Sequence, residues 1–261
     1  MLPALVVVAV ACVSLAYPAA GSETWPEPVA NDVLPYDGSG LTHGPMLGRP
    51  TPTSMRVWIR TRAPRDFKIV YAEALPLTSD TAGVIGKTRA EDDNTGYVDL
   101  EGLSADTRYY YGVVLDDALI DTRLDYAPGF PHFRTLPDTL THADPKYNPD
   151  GRFNFEFAVT FGNRQTSSVP KYRNPPGYTV LNEKHADDLA FFIMNGDYVY
   201  EEFRKRENRP HQPDMFRADY RSYLEHSRDM ARFFRHVPTF FTYDDHETYS
   251  DLEGTGEVGL G

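Results

Sequence analysis

Short segments of alternating apolar and polar residues dominate the first half of the chain. They lie at Met55–Arg60, Phe67–Glu73, Tyr97–Leu100, Arg108–Leu115 and His132–Thr135. Alternation with a period of two predicts strands with one buried face. Since no helical pattern separates these segments, we expect a β-sandwich over residues 36–137. The Pro- and Gly-rich residues 21–48 are interpreted as a linker and the entry to this domain.

One segment of this half has a specific pattern. Residues Leu103-Ser104-Ala105-Asp106-Thr107-Arg108-Tyr109-Tyr110-Tyr111 resemble the L-x-P-x-T-x-Y-x-Y corner of fibronectin type III domains, with Ala105 in place of the usual proline. The resemblance implies a tyrosine hydroxyl that is hydrogen-bonded to backbone nearby. The tyrosines could form a ligand platform, but we interpret them as core residues. Asp93-Asn94-Thr95-Gly96 has the composition of a turn.

The pattern changes in the second half of the chain, after a linker over residues 136–152. Apolar runs at Phe155–Thr160, Ala190–Met194 and Thr239–Tyr243 predict strands, of which Ala190–Met194 is typical of a strand buried on both faces. Helical patterns cover Tyr178–Leu189 and a longer stretch that begins at Pro213-Asp214. The apolar stripe of that longer helix is Phe216, Tyr220, Tyr223, Leu224, Ala231 and Phe234. Alternating strands and helices predict a parallel sheet in an α/β domain over residues 151–261.

Length and charge limit the possible functions. A chain of 261 residues suggests about two domains. Its 26 basic and 38 acidic residues give a net charge of −12, which argues against a nucleic-acid-binding protein. A hydrophobic fraction of 41% is ordinary for a folded protein.

An apolar run, Ala4–Ala16, lies close to the N-terminus and contains the single cysteine, Cys12. The run is shorter than the roughly 20 residues that a transmembrane helix needs. We therefore expect a signal peptide over residues 1–20 and a secreted or periplasmic protein. The alternative is an uncleaved anchor at a lipid surface. Removal of the leader would leave no cysteine for a disulfide or a thiolate metal site.

Polar residues follow the predicted strands of the second half. Asp197 and Tyr200 come after one strand, and Asp244, Asp245 and His246 come after the next. Because the carboxyl ends of parallel strands meet at one edge of a sheet, we expect these side chains to lie close together. Carboxylates held close together are costly unless they are paired or bind a metal, so the pattern predicts a site for a hard cation.

These residues form two motifs, Gly196-Asp197-Tyr198-Val199-Tyr200-Glu201 and Asp244-Asp245-His246-Glu247. Together they are similar to those of the alkaline phosphatase D (PhoD-like) family of calcineurin-like metallophosphoesterases. The resemblance implies an exported enzyme that contains iron and calcium and hydrolyses phosphate mono- or diesters with a metal-held hydroxide. It also implies metal ligands at Asp197, Tyr200 and Asp245, and a catalytic role for His246 at the phosphoryl oxygen or the leaving group.

The chain departs from the family pattern at two places. Phe161-Gly162-Asn163 stands where the family supplies a thiol or carboxylate ligand, and the sequence ends before further family motifs. We therefore expect a C-terminally truncated domain with an incomplete two-metal centre. The alternative is a non-catalytic secreted binding or metal-binding protein of the same lineage. A wide separation of the Asp197 and Asp245 carboxylates would favour that alternative.

Three residues near the site allow more than one interpretation. Tyr200 could be a metal ligand or a core residue. Asp244 could be a metal ligand or could support His246. Arg164, shortly after the first strand, could contact substrate or lie at the surface.

Overall fold

A computed structural model describes residues 39–122, 130–146, 148–150, 155–164, 175–200 and 227–248, together with residues 217, 220, 221, 223 and 224. The predicted signal peptide and Cys12 lie outside the described residues. No helix in the described part of the chain is long and apolar enough to cross a membrane.

The first region of the molecule is built from antiparallel strands. They are β1 (Leu41–Gly48), β2 (Ser54–Thr61), β3 (Asp66–Ala72), β4 (Gly83–Lys87), β5 (Thr95–Glu101), β6 (Arg108–Leu115), β7 (Ala118–Ile120) and β8 (His132–Arg134). One sheet has the order β1-β2-β5, and the other has the order β4-β3-β6-β7, with β8 also paired to β6.

The apolar positions of both sheets form a shared core. Met55, Val57 and Ile59 alternate along β2 and are fully buried, and Ile69 and Val113 meet them from the second sheet. The intervening polar residues of β2 lie on the outer face. This is the distribution that the alternating pattern predicts.

The outer face of the first sheet carries a cross-strand ion pair. Arg56 on β2 lies opposite Asp99 on β5, and its guanidinium donates to both carboxylate oxygens at 2.8 and 2.7 Å. Such a pair stabilises the strand register.

Within the stretch interpreted as linker and domain entry, Leu41–Gly48 forms β1, which was not predicted, and pairs with β2. The register shifts between Leu41 and His43 and again between His43 and Met46. These irregularities surround Gly44-Pro45 and obscure the alternation in the sequence. Strands β4 and β7 were also not predicted.

The local features predicted in this region occur at the expected positions. The Ser104 N–H donates to the Tyr109 hydroxyl at 2.9 Å, and Tyr111 is fully buried. Asp93 and Asn94 both have positive φ, and the Thr95 N–H donates to the Asp92 carbonyl at 3.1 Å, which closes a two-residue turn.

The second region contains a parallel sheet with the order β11-β10-β9. Its strands are β9 (Glu156–Thr160), β10 (Leu189–Asn195) and β11 (Thr239–Thr242). The helices, with a short one between the regions, are α1 (Thr139–Ala143), α2 (Pro176–Lys184), α3 (Arg228–His236) and α4 (Asp245–Thr248). Helices α2 and α3 pack against one face of the sheet, where Phe192 and Met194 of β10 are buried.

Three predictions for this region need correction. The helix predicted over Tyr178–Leu189 ends at Lys184, and Leu189 already belongs to β10. The longer predicted helix is interrupted at Ser227, whose backbone is extended with φ −120° and ψ 87°, so that α3 is a separate helix. Strand β10 is buried on one face, whereas Phe191 and Ile193 on the other face remain partly exposed.

Several contacts join the two regions. The buried Tyr111 hydroxyl donates to the Arg235 carbonyl at 2.7 Å. Arg221 donates to Asp93, which also accepts hydrogen bonds from Arg60. Although burial acts to raise it, these guanidinium hydrogen bonds hold the pKa of Asp93 below its ordinary value.

Candidate metal centre

The loops that follow the three parallel strands are joined at one edge of the sheet. After β9, the Gly162 N–H donates to the Gly196 carbonyl at 3.2 Å, and the Asn163 N–H donates to the Asp197 carbonyl at 2.7 Å. The loop after β11 approaches Gly196 so closely that a Cβ atom there would lie 2.6 Å from the Asp244 Cβ. The predicted meeting of the strand ends is therefore what the fold produces.

Three of the predicted site residues form a cluster. One ligand atom each from Asp197, Asp245 and His246 lies within 4.8 Å of the others, and all three side chains are half-buried. The carboxylates are thus close enough to share one cation or to bridge a pair of cations about 3.5–4 Å apart. The wide separation that would have favoured a non-catalytic protein does not occur.

Tyr200 lies at the edge of this cluster. Its hydroxyl donates to Asp197 Oδ2 at 3.2 Å, and its ring centroid lies 4.2 Å from that of His246. Burial, followed by the neighbouring Asp197 carboxylate, raises the pKa of Tyr200 to about 12. The phenol therefore keeps its proton at neutral pH, and ligation to a cation would require its loss.

The second oxygen of Asp197 provides a test of whether the cluster fits a metal. Asp197 Oδ1 is buried and has no hydrogen-bond partner among the described residues. A buried acceptor without a partner is costly, and a cation would satisfy it. Two carboxylates, an imidazole and a phenol are ligand types that suit iron, and the carboxylates also suit calcium. The residues present therefore fit a metal.

Other residues near the site have different surroundings. The amide nitrogen of the buried Asn163 donates to the Tyr198 carbonyl at 3.4 Å and contacts the Met230 sulfur at 3.3 Å. Asp244 is exposed, and its carboxylate accepts the N–H of Asp245 at 2.9 Å. The exposed Arg164 lies above the Tyr200 ring, with its guanidinium carbon 5.7 Å from the ring centroid.

Glu247 has a structural role at this site that the sequence analysis missed. Its side chain is buried and accepts backbone N–H groups from the loops after both β10 and β11. The available signal was its position three residues after Asp244 at a helix start, which matches the spacing of a capping box.

A separate cavity of about 460 Å³ lies where the two regions meet. Its walls include Met46, Trp58, Tyr220 and Phe241, and they are mainly apolar. None of Asp197, Asp245 and His246 lines it, so the cavity is distinct from the metal-ligating cluster.

Comparisons with known proteins agree with this geometry. Residues 161–257 match the family model of the PhoD-like phosphatases, and residues 38–132 match a domain of unknown function (DUF7800). The resemblance inferred from the two motifs is therefore confirmed for the second region. Among curated proteins, no relative matches the sequence.

Solved structures add information on the fold. A structure of PhoD aligns with a TM-score of 0.55 and 16% identity, covering 83% of this chain and 41% of that one. The chain thus spans less than half the length of PhoD. The sensor domain of the anti-sigma factor RsgI4 from Pseudobacteroides cellulosolvens aligns with a TM-score of 0.27 and 14% identity, covering 39% of this chain and 100% of that one. The carbohydrate acetylesterase XAC1771 from Xanthomonas citri gives a TM-score of 0.28 and 10% identity, covering 78% of this chain and 40% of that one. Scores of 0.27 and 0.28 do not establish a shared fold.

Proposed function

We propose that the chain is part of a metal-dependent phosphoesterase that hydrolyses phosphate mono- or diesters. The observation that carries the proposal is the cluster of Asp197, Asp245 and His246, with the unpartnered Asp197 oxygen inside it. This cluster lies within the part of the chain that matches the PhoD-like phosphatases.

The proposed roles follow from the surroundings of each side chain. Asp197, Tyr200 and Asp245 would hold the metal ions, for which iron and calcium are the candidates. Bound cations supply Lewis-acid charge for phosphoryl oxygens and lower the pKa of bound water. Tyr200 would lose the proton that it now donates to Asp197. His246, half-buried beside Tyr200, would donate a hydrogen bond to a phosphoryl oxygen or protonate the leaving group.

Charge near the site bears on substrate binding. The chain has a net charge of −12, which opposes the approach of an anionic phosphate ester. Arg164 places a guanidinium next to Tyr200 at the exposed side of the cluster. We propose that Arg164 binds the non-bridging oxygens of the phosphate, since a guanidinium can form two parallel hydrogen bonds to such oxygens.

The larger organisation remains part of the proposal. The strand orders β1-β2-β5 and β4-β3-β6-β7 and the Tyr109–Ser104 hydrogen bond support a fibronectin type III-like sandwich over residues 36–137. The parallel sheet supports an α/β phosphoesterase domain that begins near residue 151. We also propose that residues 1–20 direct the protein to the periplasm or out of the cell.

Asp197→Asn is the substitution that tests the proposed function. Asparagine keeps the shape and tolerates the positive φ of 53° at this position, but it removes a charged ligand. We expect hydrolysis of a chromogenic monoester and diester, assayed with added iron and calcium, to fall about 100-fold or more. Calcium binding measured by calorimetry should weaken in parallel.

Asp116→Asn is the matched control, because Asp116 is exposed and its carboxylate pairs with Arg65 in the first region, away from the cluster. Stoichiometric metal binding without hydrolysis in the unmodified protein would instead support the metal-binding alternative. Full activity of the Asp197→Asn variant would contradict the proposal.

A further inference from the structure

We infer that Glu247 is a positioning residue that sets the distance between the two halves of the metal site. The inference rests on the proposed function, because it concerns how the ligands of that site are held. Asp197 and Tyr200 belong to the loop after β10, whereas Asp245 and His246 begin α4, directly after the loop that follows β11. A link between the two loops therefore controls the geometry of the whole cluster.

Glu247 forms this link through backbone groups. Its Oε2 atom accepts the N–H of Asp197 at 2.9 Å and the N–H of Asp244 at 2.8 Å. Its Oε1 atom accepts the N–H of Tyr198 and, at 3.3 Å, the N–H of Val199. A single carboxylate thus binds three successive amides of one loop and the Asp244 amide of the other.

The backbone of the loop after β10 is shaped for this contact. Gly196 and Asp197 both have positive φ, at 83° and 53°. Turns of this kind direct successive N–H groups toward one point and form a concave site for an anion. Here the anion is the side chain of Glu247, which belongs to α4 and is only 5% exposed.

The same hydrogen bonds argue against a metal-ligating role for Glu247. An ionised carboxylate offers about four lone-pair positions. Four backbone N–H groups occupy them, so none remains for a cation. Glu247 therefore acts through Asp197 and Asp245 and does not touch the metal itself.

Glu247→Gln is the direct test, since glutamine has nearly the same shape but only one accepting oxygen. Its NH₂ group would face two backbone N–H groups and could not accept their hydrogen bonds. We expect calcium affinity to fall about 10–100-fold, as for residues that orient metal ligands, with the number of bound ions unchanged. Amide hydrogen exchange at residues 197–199 should become faster.

Glu73→Gln is the matched control, because Glu73 accepts a hydrogen bond from Tyr109 in the first region. It should change neither the calcium affinity nor the exchange at residues 197–199. Where Glu247→Gln does not fold, Glu247→Asp keeps the charge with a shorter reach and is expected to show the same two effects more weakly.

The outcomes separate this inference from the proposed function. Unchanged calcium affinity and unchanged exchange in a folded Glu247→Gln variant would overturn the inference and leave the function standing. Loss of a bound ion with the amides still protected would overturn it as well, because Glu247 would then be a ligand. If the unmodified protein binds no calcium, the proposed function loses its support. The exchange measurement still tests the contact, because rapid exchange at residues 197–199 in the unmodified protein would overturn it.

Discussion

The two regions of the molecule bury their apolar residues in different ways. In the first region, two antiparallel sheets face each other, and each covers the apolar face of the other. In the second region, α2 and α3 cover one face of the parallel sheet. On the opposite face Phe157, Val159 and Phe240 are 49, 55 and 39% exposed.

This difference shows what each region needs in order to be stable. Parallel sheets are normally covered on both faces, whereas a pair of antiparallel sheets can complete its own core. The aromatic rings on the uncovered face contact one another, as between Phe157 and Phe191 at 5.2 Å. A contiguous apolar surface of this kind is a place where further contacts form. The metal-ligating cluster thus lies in the region whose described residues leave one face of the sheet exposed.

The largest effect is expected from a matched pair of phenylalanine substitutions. Phe67→Ala removes a ring that is 3% exposed in the core of the first region and should lower the free energy of unfolding by about 3–5 kcal/mol. Phe157→Ala removes a half-exposed ring and should cost less than about 1 kcal/mol. Urea denaturation measures both. Equal losses would show that the second sheet is covered in solution and would remove the contrast.

A second pair of variants compares a contact between the regions with one inside the first region. Tyr111→Phe leaves the buried Arg235 carbonyl without this donor and should cost about 1–3 kcal/mol. Hydrogen exchange should then become faster in α3. Tyr109→Phe removes the hydroxyl contact with Ser104 and should leave exchange in α3 unchanged. Faster exchange in α3 in both variants would mean that the regions respond as one unit.

The smallest effect concerns pH and His236, at the end of α3. Burial, followed by Arg235 and by His132 of β8, lowers the pKa of His236 well below its ordinary value. His132 in turn bonds to Asp187, so this set of groups lies between the regions. The folded protein therefore keeps the ring neutral while the unfolded chain takes up a proton below about pH 6.5.

The contribution of neutral His236 to the free energy of unfolding should therefore be fully present above about pH 6.5. Below that pH, the free energy of unfolding should fall by up to about 1.4 kcal/mol per pH unit. Thermal unfolding between pH 7.5 and 5.5 measures this slope. The His236→Asn variant should show a shallower dependence than the unmodified protein. Identical slopes would contradict the assignment to His236.

The sequence was most informative where a regular pattern coincides with burial. The alternation of Met55, Val57 and Ile59 predicts β2 correctly, and the rule for parallel strands predicts the approach of Asp197 and Asp245. Strand β1 was missed because its register shifts around Gly44-Pro45 break the alternation.

Other features depend on contacts that are distant in the sequence. Ser227 separates two helical segments, although the apolar stripe continues across it. The contacts of Glu247 with residues 197–199 exist only once the two loops have met, so the capping-box spacing points to its contact with Asp244 alone. The positions of Asp197 and Asp245 after neighbouring strands predicted that they would meet. The hydrogen bonds that hold their loops together could be identified only in the folded structure.

Gly196 sets a strict limit on what evolution or engineering can change here. Its φ is +83°, and a Cβ atom added to it would lie only 2.6 Å from the Asp244 Cβ. Even a methyl group would therefore push the two loops apart. The smallest possible residue is therefore what permits the ligand-bearing loops to touch, and a Gly196→Ala variant would retain every candidate ligand while losing their alignment.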